Sequence, residues 1–232
     1  QFGLMPQKPP HYDHFNIKVY YQPFHQIGGN YYDFIPYCHN EVLGVISDIG
    51  GESIPASIMM IHFRNMIHKQ KFKKDSVLST FIETLNNQVL YNRFIQKSVS
   101  CTLWKLNTKK NQLSLVTAGM NPCVLIRNNH ITILDEEGGA SLGMFESSFY
   151  HSLDIQLCPN DKVLFFTEGL VSQKNKDNQR YGYDSFIRLL ERHATLDNTK
   201  MIDAVMSDLQ EFVGSTKQST DTLLVDVCCT SK

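Results

Sequence analysis

The order in which two hydrophobic periodicities follow one another restricts the fold of this chain most. Over residues 15–21, Phe15, Ile17, Val19 and Tyr21 point one way and Asn16, Lys18 and Tyr20 the other, the period of a half-buried strand. Residues 31–37 and 41–49 read as two more strands, with 38–40 as the turn between them. The period then lengthens. Residues 54–69 are apolar on more than one side, as in a helix packed on a sheet, with Ser53 as its expected N-cap and Pro55 in its first turn. A second helix is expected to be capped by Asp75, with Val77, Leu78, Phe81, Ile82, Leu85 and Val89 along one stripe.

Strand-like runs return at 98–106, 113–118, 123–127 and 131–134. Asn128-Asn129 between the last two tolerates positive φ and suits a tight hairpin. Leu153, Ile155 and Leu157 alternate, and residues 163–167 (VLFFT) form a continuous apolar run. Two helices are expected at 184–193 and 199–213, and a last strand at 222–229. Strands and helices come in blocks and do not alternate, which favours a layered α+β domain over a doubly wound sheet. The domain is expected to span residues 15–230, after an entry segment over 1–14 that contains three prolines.

Charge excludes more than it suggests. Lys and Arg number 22 against 23 Asp and Glu, a net charge of −1. No basic stripe argues for nucleic acid, and the four lysines within 69–74 read as a solvated helix end. No run approaches the roughly 18 apolar residues of a membrane span. The chain starts at Gln1 without a signal-peptide pattern, and its six cysteines contain no C-x-x-C pair. A reduced, cytoplasmic segment of a longer protein is the expectation.

Acidic residues at strand ends are the candidates for chemistry. Asp48 ends an apolar strand and precedes Gly50-Gly51; Glu168 ends VLFFT and precedes Gly169; Asp221 opens the last strand. Carboxylates gathered from three strand ends suit hard divalent cations such as Mg²⁺ or Mn²⁺. Acids beside glycines are equally turn residues, so spacing alone leaves both readings open. His11 and His14 form an H-x-x-H, and His62 and His68 share a helix at about 240° to one another, too far round to share a metal. No G-x-G-x-x-G or P-loop pattern occurs.

Six blocks in order carry a resemblance: GGNYYDF (28–34), SDIGGESIPAS (47–57), TAGMNPCVLI (117–126), SLGMF (141–145), LCPNDKVLFFTEGL (157–170) and STDTLLV (219–225). Together they resemble the SpoIIE/RsbU-type protein phosphatases, the bacterial branch of the metal-dependent PPM serine/threonine phosphatases. The resemblance implies two stacked antiparallel sheets flanked by helix pairs. It also implies two Mn²⁺ or Mg²⁺ ions that activate water against a phosphoserine or phosphothreonine. In such relatives the domain follows a sensor and dephosphorylates an anti-sigma-factor antagonist.

Carried over residue by residue, the implied ligand set is Asn30, Asp48, the Ile49 carbonyl, Glu168 and Asp221, with Asp48 and Glu168 as the catalytic pair. It departs from the family pattern. Asn30 stands where the family has aspartate after Gly-Gly, and Glu168 where it has Thr-Asp-Gly. The closing Asp-Asp-x-Thr falls on Ser219-Thr220-Asp221-Thr222, so Asp221 is one residue out of register. Losing a carboxylate about 4 Å from a divalent ion costs several kcal/mol even at an effective dielectric of about 20. The expectation is therefore a pseudophosphatase that binds a phosphoprotein or regulatory partner. The alternative is an active Mn²⁺- or Mg²⁺-dependent phosphatase acting on an anti-sigma-factor antagonist. An upstream sensor and a homodimer complete the expected setting.

Overall fold

The computed structural model describes residues 2–25, 27–50, 54–92, 97–134 and 138–230. The period-two runs form ten strands in two five-stranded sheets, all paired antiparallel. One sheet contains β2 (Tyr31–Cys38), β3 (Glu41–Ile49), β4 (Val99–Asn107), β5 (Gln112–Ala118) and β8 (Ser152–Gln156), in that order. The other runs β1 (Phe15–Gln22), β10 (Thr222–Cys229), β9 (Lys162–Phe166), β6 (Cys123–Arg127) and β7 (His130–Leu134). The hairpin at Asn128-Asn129 has both residues at positive φ, 49° and 64°.

Alternation along each strand divides the apolar residues into layers. Val42, Ile46, Trp104, Leu113, Phe165, Val225 and Val227 face the space between the sheets. Leu43, Val45, Leu103 and Val116 turn outward under α1 (Ile54–Gln70) and α2 (Leu78–Leu90). Leu164, Phe166 and Leu224 turn the opposite way under α4 (Tyr183–Arg192) and α5 (Asn198–Val213). The result is an α+β stack of two sheets between two helix pairs, as expected. Between the sheets, Trp104 of β4 stacks on Phe165 of β9 at 5.5 Å and 18°. Gly44 on the neighbouring strand makes room for it: a Cβ there would lie 1.9 Å from the indole.

Three local expectations change. Asp75 does not cap the second helix. The chain first makes a turn in which Lys73 O accepts from Ser76 N–H and Ser76 Oγ accepts from Lys73 N–H. Val77 becomes the N-cap, extended and without a side-chain bond, and it is 57% exposed and not in the buried stripe. Glu168 does not end a strand; it opens α3 (Glu168–Val171), a single turn after Thr167. The last long helix begins at Asn198 and is capped by Asp197, whose carboxylate accepts from Lys200 N–H. Ser53, the expected cap of α1, lies outside the described residues.

The entry segment is packed onto the domain. Met5 is buried in the layer under α1, Arg64 Nε donates to Leu4 O, and Tyr32 OH donates to Pro6 O.

One buried pair stands out in the layer under α4 and α5. Lys162 Nζ donates to the carbonyls of Ala194 and Leu196, just past the end of α4. Asp226 is fully buried, and neither carboxylate oxygen has a hydrogen-bond partner among the described residues. Burial pushes its pKa up to about 8, against the opposing effect of the Lys162 charge. A carboxyl group raised in the folded state contributes most to stability below its unfolded pKa and loses that contribution as pH rises through the folded value. The window therefore runs from about pH 4 to about pH 8. The stability difference between Asp226→Asn and wild type should grow in favour of the variant across pH 5–8, by up to about 1 kcal/mol per pH unit. Thermal melts of both proteins over that range check it; parallel curves would show that Asp226 does not titrate there.

Candidate functional site

The site lies where the ends of β3 and β9 and the start of β10 meet, at the rim of the inter-sheet space. A cleft of about 260 Å³ opens there, lined by Asp48, Ile49, Glu168 and Asp221 together with Phe24 and Gly28-Gly29. Four of the five residues expected at a metal site thus share one cleft. Asn30 does not line it. It is 1% exposed, and its Nδ2 donates to Thr167 Oγ1 at 2.9 Å, so the side chain is bound between β2 and the residue before Glu168.

Close backbone approach accounts for the glycines. A Cβ on Gly28 would lie 2.1 Å from Asp221 Oδ2, one on Gly29 would lie 2.5 Å from Ile49 O, and one on Gly169 would lie 1.7 Å from Asp221 O. These glycines let the Gly28-Gly29 turn, the end of β3 and the start of α3 close around Asp221. Ser57 on α1 adds a further tie, its Oγ donating to Gly28 O at 3.0 Å.

The carboxylates differ in their partners. Both oxygens of Asp221 accept backbone N–H groups, Oδ1 from Phe24 at 2.8 Å and Oδ2 from Asn30 at 3.1 Å. Glu168 is 54% exposed; its Oε2 accepts from Asn121 Nδ2 at 3.1 Å, and its Oε1 lies 3.9 Å from Arg180 Nη1. Asp48 lines the cleft, and the charges that act on it are Asp221 and Glu168. Its pKa is pushed up to about 6, first by burial and then by those two acids. Tyr21, also close to Asp221 and Asp48, has its phenol pKa raised for the same reasons, burial first.

This donor set can be compared with what two divalent ions require. Three carboxylates line the cleft, Asp48, Glu168 and Asp221, and each Asp221 oxygen already accepts one backbone N–H. Asn30 supplies an amide already donating to Thr167. Among the described residues, no group of three or more His, Cys, Asp or Glu side chains could hold a metal ion. They do not fit a two-metal centre.

Asn121, Arg180, Thr167 and Ser57 enter the site without having been singled out in the sequence. Asn121 and Thr167 fall inside the TAGMNPCVLI and LCPNDKVLFFTEGL blocks, and Ser57 ends SDIGGESIPAS, so those blocks held the signal. Arg180 had none. It is brought in by a short hairpin in which Lys174 bridges Arg180, and Asn175 Oδ1 accepts from the N–H groups of Asp177 and Gln179.

A two-sheet stack with an acidic cleft at one rim defines a phosphatase domain of the PPM type. The family model described as Stage II sporulation protein E (SpoIIE) matches residues 39–229, and the chain belongs to this family. Protein IcfG from Synechocystis sp. is 18% identical over 98% of this chain, which spans 40% of that protein's length. Among solved structures, the SiaA PP2C domain of Pseudomonas aeruginosa superposes with a TM-score of 0.79 at 17% identity. It matches 90% of this chain and 84% of its own. The RsbU and RsbW domains of a Mycobacterium tuberculosis protein give 0.76 at 19% identity, over 94% of this chain and 61% of theirs. Among the described residues no helix is long and apolar enough to cross a membrane.

The raised Asp48 pKa yields a prediction. Ionised Asp48 opposes folding, so its contribution is lost as pH rises from about 4 through about 6. Asp48→Asn should therefore be more stable than wild type at pH 7, by about 1–2 kcal/mol, and close to wild type at pH 4. Denaturant unfolding at the two pH values measures this; equal stability at pH 7 would show that the neighbouring acids do not load Asp48.

Proposed function

We propose that this domain is a degenerate phosphatase, a pseudophosphatase whose cleft binds a phosphoprotein or a regulatory protein partner in a bacterial signalling pathway. The observation that carries this reading is the placement of Asn30. At the position where the family pattern has a metal-binding aspartate, this chain has a neutral amide buried against Thr167. Asp48, Glu168 and Asp221 bring at most −3 to the cleft against the +4 of two divalent ions, and both oxygens of Asp221 already accept backbone amides.

The SpoIIE family and the RsbU- and RsbW-containing neighbour support a regulatory setting. An anti-sigma-factor antagonist as partner, a cytoplasmic location, an upstream sensor domain and a homodimer belong to the same proposal. A second reading rests on a separate observation. Asp48 and Glu168 still line one cleft, so an Mn²⁺- or Mg²⁺-dependent phosphoserine/phosphothreonine phosphatase with a reduced site is the alternative.

The two readings part in one assay. Under the first, millimolar Mn²⁺ gives neither turnover of a phosphoserine peptide nor heat of binding in calorimetry. The triple variant Asn30→Asp, Glu168→Asp, Ser219→Asp gains at least tenfold in Mn²⁺ affinity. Metal-dependent turnover by wild type, abolished in Asp48→Ala, would establish the alternative instead. No gain of affinity in the triple variant would remove Asn30 as the reason for the loss.

A further inference from the structure

Asp221 accepts backbone N–H groups, whereas Glu168 accepts from the side chain of Asn121. Asp221 is 8% exposed, and its two oxygens accept from two separate points of the preceding turn, Phe24 N–H at 2.8 Å and Asn30 N–H at 3.1 Å. Gly28 is the residue between those points that touches the carboxylate, and only the lack of a Cβ lets it sit there. On the other side, Gly169 lets the start of α3 close over the Asp221 carbonyl. Gln173, following α3, holds the same stretch: its Nε2 donates to Gly169 O and Thr220 O, and its Oε1 accepts from Ser219 N–H. Asp221 is thus held from both directions, with each carboxylate oxygen accepting one backbone N–H.

We propose that Asp221 is a positioning residue that holds the Gly28-Gly29 turn with a carboxylate in place of a metal ion, so that the shape of the cleft, and the capture of a protein partner there, is independent of divalent cations. A cation bound among carboxylates would tie the turn to β3, α3 and β10 through their side chains. Here the turn is tied to the start of β10 by two charge-assisted hydrogen bonds from its own amides. Asn30 completes the device. Its N–H serves Asp221 while its side-chain amide serves Thr167, so one residue links the turn to both β9 and β10. The consequence for partner capture rests on the pseudophosphatase reading; the clamp itself does not.

Amide exchange by NMR on the intact chain tests this, with the Phe24 and Asn30 amides as reporters and those of Leu224 and Val225 in β10 as internal controls. Wild type should show the same protection at Phe24 and Asn30 in 5 mM EDTA and in 10 mM MgCl₂. Asp221→Asn keeps one acceptor and turns the other into a donor, and should lower protection at least tenfold at one or both reporters while the β10 controls change less than twofold. Gly28→Ala pushes on the carboxylate from the other side and should have the same local effect, which keeps the test readable if Asp221→Asn does not fold. A Mg²⁺-induced gain of protection at Phe24 or Asn30 in wild type would overturn the proposal, because the turn would then answer to a cation. So would wild-type protection at both reporters in either variant. Turnover by wild type with Mn²⁺ bears on the pseudophosphatase reading alone, since the clamp is judged by exchange.

Discussion

The distance between the two sheets sets everything else in this domain, and the stack of Trp104 on Phe165 holds it. The indole reaches across from β4 because Gly44, its cross-strand neighbour on β3, has no side chain to occupy the same space. Aromatic pairs of this size dominate core energetics, and a stacked pair across two sheets fixes their separation as well as contributing burial. With that spacing set, the ends of β3 and β9 and the start of β10 arrive at one rim, and the cleft follows as a by-product of sheet packing. The site thus sits at the edge of the buried inter-sheet core, where Glu168 and Ile27 are about half exposed.

What the cleft does with its charge is the second constraint. Three carboxylates within interaction range of one another, partly out of water, oppose folding unless cations, donors or protons compensate them. Each acid here meets that demand differently. Asp221 takes two backbone donors, Glu168 takes Asn121 and the distant Arg180, and Asp48 has its pKa raised.

Much of this was legible before the coordinates. Among the described residues, ten strands and four of the five α-helices follow from the strand-like and helical runs, because each run is long enough to show its apolar pattern. The failures are short-range. Asp75 lost the helix N-terminus to a turn closed by Ser76, and the α3 turn at Glu168 is shorter than any periodic signal. At the site, acids at strand ends left a turn role and a shared cleft equally open, and the family resemblance singled out Asp48, Glu168 and Asp221, which the fold places in one cleft. What they are bonded to was not legible. The direction of the Asp221 carboxylate depends on amides almost two hundred residues earlier, and Arg180 arrives through a hairpin with no composition signal of its own.

The glycines show how shape and charge at this rim come apart. Gly28, Gly29 and Gly169 look like companions of a metal site when read along the chain, because they flank the positions from which ligands would come. In the fold they serve a purely steric end: each removes a Cβ that would strike Asp221 or the Ile49 carbonyl. That requirement arises from the packing of the turn against Asp221 and the end of β3, and of α3 against the start of β10. The family resemblance asks for aspartate at position 30 as a metal ligand, whereas glycine at 169 is required by the Asp221 backbone and glycine at 28 by the Asp221 carboxylate. A chain can therefore exchange the first for asparagine and keep the second, and the cleft retains its outline while its chemistry changes.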